Sequence, residues 1–219
     1  MQDRFKRLFK LRFAILYPFA VFAVLFSRPN DKSIMAGIWF ILAGLLLRVW
    51  ANGYAIKLEK LTTSGPYAIV RHPLYLGTVL LTAGFVIMLN LYYFGFLFLI
   101  IMAAVYYNTV KKEEKMLEQK FKNEYIDYVK HVPAIIPTIF PYRKGEKWPF
   151  SFKRLIKSQE YKLFIWMLVL VIVFHLKEEF FIERETVDAK ILWLIIIAFM
   201  LGFVDLAGEI IKNKKAGTK

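Results

Sequence analysis

The sequence predicts an all-α, polytopic integral membrane bundle with a cytoplasmic N-terminus and six spanning helices, five being the alternative count. Three observations carry this expectation. Hydrophobic residues make up 58% of the 219, where soluble domains average about half. They gather into runs nearly free of charge, at 13–26, 34–56, 74–107, 163–176 and 191–207. Finally, 25 of the 31 Lys and Arg fall in 1–12, 57–73, 108–162 and 208–219, the segments that alternation places inside. Basic residues favour the cytoplasmic face in this way.

The elements follow in chain order. Residues 1–43 combine a signal anchor with the start of the second span. The first run follows five basic residues, and Val24-Leu25-Phe26-Ser27-Arg28 offers bulky groups where cleavage needs small ones, so the anchor is expected to be retained. The second run carries Arg48 one turn before Asn52. Either Arg48 lies within the membrane facing a partner or wet cavity, or the span ends early and places it at the inner interface. The run 74–107 is too long for one span of about 20 residues, so it is expected to fold back at Asn90. Runs 13–26 and 163–176 are short and borrow flanking Arg12, Tyr161 or Lys177 by snorkelling.

Beyond 107, Leu117, Phe121, Tyr125 and Tyr128 recur at helical spacing and predict an amphipathic helix, ended by Val132-Pro133 and Ile136-Pro137. Residues 44–138 therefore form the expected core, 139–160 an interfacial linker, and 161–219 a terminal transmembrane hairpin with a basic tail. The net charge of +14 is accounted for by this topology and argues for anionic headgroups rather than nucleic acid as its partner. With no cysteine, disulfides, thiolate catalysis and Cys-based metal sites are excluded, and no metal site is expected.

Two polar clusters stand where protein should meet water. In Gly65-Pro66-Tyr67-Ala68-Ile69-Val70-Arg71-His72-Pro73-Leu74-Tyr75-Leu76-Gly77, Pro73 suits the first position of a helix. His72 then sits at a helix mouth, a place that favours anions. It serves either as a chemical group or as a turn that positions the helix. Glu113 and Glu114 follow Lys111-Lys112 at the expected end of the fourth span. They are either helix-end charges or a carboxylate pair for an ammonium or ribose.

Together, Leu47-Arg48-Val49-Trp50-Ala51, Leu61-Thr62-Thr63-Ser64-Gly65-Pro66-Tyr67, Val70-Arg71-His72-Pro73-Leu74-Tyr75-Leu76-Gly77 and Glu113-Glu114 resemble the isoprenylcysteine carboxyl methyltransferase family. Phospholipid N-methyltransferases share that core, and membrane sterol reductases are more distant. The resemblance continues through Phe121, Glu124-Tyr125, Tyr128 and Val132-Pro133 to Pro137. It implies S-adenosylmethionine as cofactor, bound at the cytoplasmic face by Tyr67, Arg71, His72, Tyr75, Leu76, Gly77, Glu113, Glu114 and Tyr125. His72, Glu114, Lys111 and Arg48 become the candidates for the reacting end.

The family has an arginine shortly before the acidic pair, where this chain reads Asn108-Thr109-Val110-Lys111-Lys112. Lys111 is the substitute, and it lacks the planar grip of arginine on a carboxylate. The acceptor therefore stays open among a hydrophobic carboxylate, amine or thiol reached from the bilayer. The alternatives are an NADPH-dependent membrane reductase, although the chain shows no dinucleotide fingerprint, and a non-enzymatic scaffold.

Overall fold

A computed structural model describes residues 26–56, 60–158 and 160–177, with the single positions Trp193, Ile196, Ile197 and Met200. The expected first span, apart from Phe26, and most of the sixth lie outside these residues. All regular structure among the described residues is helical: α1 (Asp31–Tyr54), α2 (Pro73–Met88), α3 (Tyr92–Phe121), α4 (Asn123–His131), α5 (Phe152–Ser158) and α6 (Glu160–Lys177), with a 3₁₀ turn at Gly65–Ala68. By length and composition α1 and α3 are able to cross a membrane; Pro73–Met88 and Lys162–Leu176 are apolar but shorter.

Local chemistry sets the helix ends. Asn30 caps α1 reciprocally with Ser33, its Oδ1 accepting from the Ser33 N–H while the Ser33 hydroxyl oxygen accepts from the Asn30 N–H. Pro73 opens α2 at its first turn, and Asn90 at φ 58° turns the chain between α2 and α3. Asparagine tolerates this left-handed conformation well. The hairpin expected at Asn90 is thus present.

Helices α1 and α2 run antiparallel at very close range. A Cβ on Gly37 would stand 2.5 Å from the Gly84 carbonyl oxygen, and one on Gly44 2.7 Å from that of Gly77. Each helix spaces its two glycines by seven residues, two turns along one face. Such small-residue contacts let helix backbones approach closely. Around them Ile34, Ile41, Leu45, Leu81 and Met88 form a core that Phe174 of α6 completes.

The amphipathic helix departs from expectation. Helix α3 does not end at Glu114 but runs on to Phe121, so the two glutamates lie within a helix rather than at its terminus. Lys122 at φ 46° then breaks the chain, and α4 begins anew. The break lets Leu117 and Phe121 on α3 pack on the same cluster as Tyr125, Tyr128 and Val132, with Leu61 and Tyr142. The linker also contains helix α5, and it straps back onto the end of α1. Ser151 N–H and Arg154 Nε donate to the Gly53 carbonyl, and Trp148 Nε1 donates to that of Tyr54. Terminal helix carbonyls have no intrahelical donor, and the strap supplies them.

Candidate functional site

The site is built on segment 64–73, whose internal backbone bonds are confined to the turn at 64–70. Gly65 takes φ 60° with the Tyr54 ring packed against it, where a Cβ would stand 2.5 Å from that ring. The next residues are stitched to the chain following α4: Arg71 and His72 N–H donate to the carbonyls of Pro133 and Ala134, and Thr138 and Tyr142 N–H to those of Ile69 and Ala68. The Tyr128 hydroxyl donates to the Tyr67 carbonyl at 2.6 Å. These bonds fix Arg71 and His72 before α2 begins.

Arg71 donates to Glu114 Oε1 through Nε at 3.0 Å and Nη2 at 2.7 Å. Its Nη1 donates to the carbonyls of Val129 and Val132, at the C-terminal end of α4, where cations and donors are favoured. His72 is 6% exposed and its Nε2 lies 3.2 Å from the same Glu114 oxygen. An ionised carboxylate only accepts, so Nε2 is the donor in this contact. His72 Nδ1 is 4.0 Å from Glu113 Oε2, which accepts from the Tyr75 hydroxyl at 3.1 Å. Adjacent positions on a helix diverge by about 100°, which is how two neighbouring glutamates reach different partners.

The apolar stretch of α3 ends at Tyr107, so Glu114 belongs to its polar extension. The His72 hydrogen bond, with Arg71 adding to it against partial burial, holds the Glu114 carboxyl below its ordinary range.

A cavity of about 350 Å³ opens beside this cluster. Its walls include Asn52, Leu61 and Thr62 on one side, His72, Pro73, Leu74 and Tyr75 at the mouth of α2, and Tyr67, Arg71, Glu113, Leu117, Tyr125 and Tyr128 opposite. Tyr125 is 4% exposed, and its hydroxyl has no hydrogen-bond partner among the described residues. Burial raises its pKa, with the negative charges of Glu114 and Glu113 adding against Arg71, so the group is a protonated donor without an acceptor.

Of the expected site residues, the fold brings Tyr67, Arg71, His72, Tyr75, Glu113 and Tyr125 to the cavity wall. Glu114 stands behind it, holding Arg71 and His72. Leu76 and Gly77 are outside the lining, and Gly77 meets the Arg48 side chain and Gly44. Arg48 Nη1 donates to the Leu74 carbonyl and to the Thr78 hydroxyl at 2.6 Å, tying α1 to α2. Lys111 is exposed, its ammonium 5.2 Å from the Tyr107 ring centroid. Asn52, Thr62 and Tyr128 were not among the expected residues. In the sequence Tyr128 stands in a helical periodicity and in the motif resemblance without a site role, and Asn52 only as a polar residue near the end of an apolar run.

Among the described residues, the fold and site therefore define a helical protein with two helices apolar enough to span a membrane and a partly buried Arg-His-carboxylate cluster beside a cavity. Residues 33–124, which hold this cluster, match the phospholipid methyltransferase family. Protein-S-isoprenylcysteine O-methyltransferase B of Arabidopsis thaliana is 31% identical over 81 residues, 37% of this chain and 41% of its own. The rat protein-S-isoprenylcysteine O-methyltransferase is 29% identical over 120 residues, 46% and 42%. The cobalt-zinc-cadmium resistance protein CzcN of Cupriavidus metallidurans is 30% identical over 131 residues, 58% of each chain. The chain thus spans about two-fifths to three-fifths of the length of these relatives. No solved structure matches it. The motif resemblance is borne out: the family match and the isoprenylcysteine methyltransferase relatives fall on this chain at modest identity.

Proposed function

We propose that the protein is a multi-pass membrane methyltransferase that uses S-adenosylmethionine at the cytoplasmic face and methylates a hydrophobic acceptor arriving through the bilayer. The observation that carries this reading is the buried, unpartnered Tyr125 hydroxyl in the wall of a cavity shared with the Glu113 carboxylate and the mouth of α2. A buried donor without a partner costs about 1–3 kcal/mol, which an oxygen of a bound ligand offsets. A cavity of about 350 Å³ also lies within the range of roughly 300–1,000 Å³ usual for cofactor sites.

The residues fit the cofactor's chemistry. Glu113 accepts from an ammonium or ribose hydroxyls, Tyr125 donates to an oxygen, and the rings of Tyr75 and Tyr67 offer faces to a cation. Bound there, S-adenosylmethionine would supply an electrophilic methyl group. Arg71 and Glu114 act as positioning residues, because their contacts hold His72 and the chain before α2. His72 is placed to orient an acceptor or take its proton, with Glu114 fixing the ring. The proposal gives Lys111 and Arg48 no place at the reacting atoms. Exposed Trp39 and Leu46 on α1 and Tyr93 and Phe96 on α3 support a lipid surrounding for these apolar helices.

The test is saturable binding of radiolabelled S-adenosylmethionine to detergent-purified protein, with NADPH in parallel. Binding should weaken roughly ten- to hundred-fold in Glu113→Gln, the loss of a hydrogen bond to a charged group. Binding of NADPH alone would favour the reductase. Reporters fused after Lys32 should lie outside and those after Lys60 and Lys144 inside; an external reporter at Lys144 refutes the topology.

A further inference from the structure

We infer that the loop following α4 is an interfacial anchor that inserts Ile136, Ile139 and Phe140 into an anionic leaflet beside the cavity. These side chains are 78%, 85% and 76% exposed. Exposure of this size in an unanchored segment would mean little, but this loop is pinned. Its Pro133 and Ala134 carbonyls accept from Arg71 and His72, and its Thr138 N–H donates to Ile69. A rigid backbone thus holds three large apolar groups in solvent, with neighbouring Tyr142 buried in the aromatic cluster.

The same bonds place the loop at the level of the mouth of α2, where the apolar helix meets polar chain. Basic groups flank it: Arg143 and Lys147 are exposed, as is Lys144, whose ammonium also pairs with Asp127. Segment 108–162 holds 13 of the 31 Lys and Arg. Apolar side chains beside basic ones are the chemistry of an anionic bilayer surface, and a neutral protein partner would have no use for the charge. Because the anchor is stitched to residues 68–72, its engagement with lipid bears directly on the position of His72.

This inference rests on the membrane reading above, and the experiment separates the two. The chain has no cysteine, so a single introduced cysteine carries the only label. Ile139→Cys, Leu46→Cys and Lys130→Cys are labelled with an environment-sensitive fluorophore and reconstituted in phosphatidylglycerol/phosphatidylcholine vesicles containing spin-labelled lipid. Leu46 and Ile139 should be quenched, and Ile139 by at least about twofold more than exposed Lys130, as insertion to the headgroup boundary requires. Quenching at Ile139 should fall in phosphatidylcholine alone. Quenching at Leu46 without quenching at Ile139 overturns the anchor but leaves the membrane protein intact, whereas quenching at neither overturns the membrane reading itself. A label at Ile139 shielded from both lipid quencher and aqueous iodide would mean a protein surface covers it, which also overturns the proposal. Equal quenching in both lipids refutes the requirement for anionic headgroups.

Discussion

Arg71 grips a single oxygen of Glu114 with Nε and Nη2 while its Nη1 closes the end of α4 through the Val129 and Val132 carbonyls. One side chain therefore joins three elements: the chain entering α2, the polar extension of α3, and α4. Arginine alone has the fork to do this, since lysine is a point charge on a flexible stem. The cluster explains why Glu114 belongs to the architecture of the site while Glu113, paired with Tyr75, belongs to its wall.

The first prediction follows from that division. Arg71→Gln should destabilise more than Glu114→Gln, because it also uncaps α4. The two changes should couple by about 1–3 kcal/mol in a double-mutant cycle, as contacting residues in one network do. Arg71→Lys should recover only part of the loss. Chemical denaturation in detergent measures all of these, and additivity within about 0.5 kcal/mol would show that the pair is not a functional unit.

The second concerns pH. The carboxyl of Glu114 is held below the ordinary carboxylate range by its hydrogen bonds to His72 and Arg71. A group whose pKa is lower folded than unfolded stabilises the fold above its unfolded pKa, and loses that contribution as pH falls through the folded value. The stability difference between wild type and Glu114→Gln should stay constant from pH 7 to about 5 and shrink only below the ordinary carboxylate range. Thermal unfolding of both proteins across this range is the measurement. A difference that collapses already between about pH 6 and 5 would contradict the lowered carboxyl.

The third isolates Tyr125. Removing a hydroxyl that has no partner should leave the ligand-free protein as stable as before, or slightly more stable, because a buried donor is no longer stranded. If that hydroxyl serves a ligand, Tyr125→Phe should nevertheless weaken S-adenosylmethionine binding by roughly three- to tenfold, the equivalent of one neutral hydrogen bond. Tyr128→Phe makes the opposite demand: its hydroxyl is satisfied by the Tyr67 carbonyl, so stability should fall. Unchanged affinity in Tyr125→Phe would remove Tyr125 from the binding wall.

The contrast between these residues also shows what could be read from sequence. Pro73 and Asn90 announce the start of α2 and the turn after it because proline and asparagine have strong local preferences. The polar groups of the site were recognisable as residue types in a known order. Their pairings were not, since Arg71 and Glu114 stand 43 positions apart and meet only when α2 and α3 fold back. The end of α3 is not legible in the sequence because four charges at 111–114 imitate the exit of an apolar helix, and because the break at Lys122 uses a positive φ on a residue type that gives no warning of it. The strap was legible as a linker by its Pro, Trp and Gly content. Its destination, the terminal carbonyls of Gly53 and Tyr54, depends on where α1 ends in space.

The last prediction tests the glycine seam that carries the site. A Cβ on Gly44 would meet the backbone of α2 at two points, the Gly77 oxygen at 2.7 Å and the Leu81 nitrogen at 2.9 Å, so no side-chain rotation relieves it and α2 must move. Gly44→Ala should therefore cost about 1–3 kcal/mol, the usual range for overpacking, partly offset by the better helix propensity of alanine. Because Tyr75 lies on the first turn of α2 and bonds Glu113 across the cavity, displacement of α2 should also lower ligand affinity. Ala43→Leu, on the exposed side of the same helix, should do neither. Thermal unfolding and S-adenosylmethionine binding on the three proteins distinguish the cases. A Gly44→Ala protein with wild-type stability would mean that the two helices are not held at this distance, and the placement of His72 and Tyr75 would have to come from the stitched loop alone.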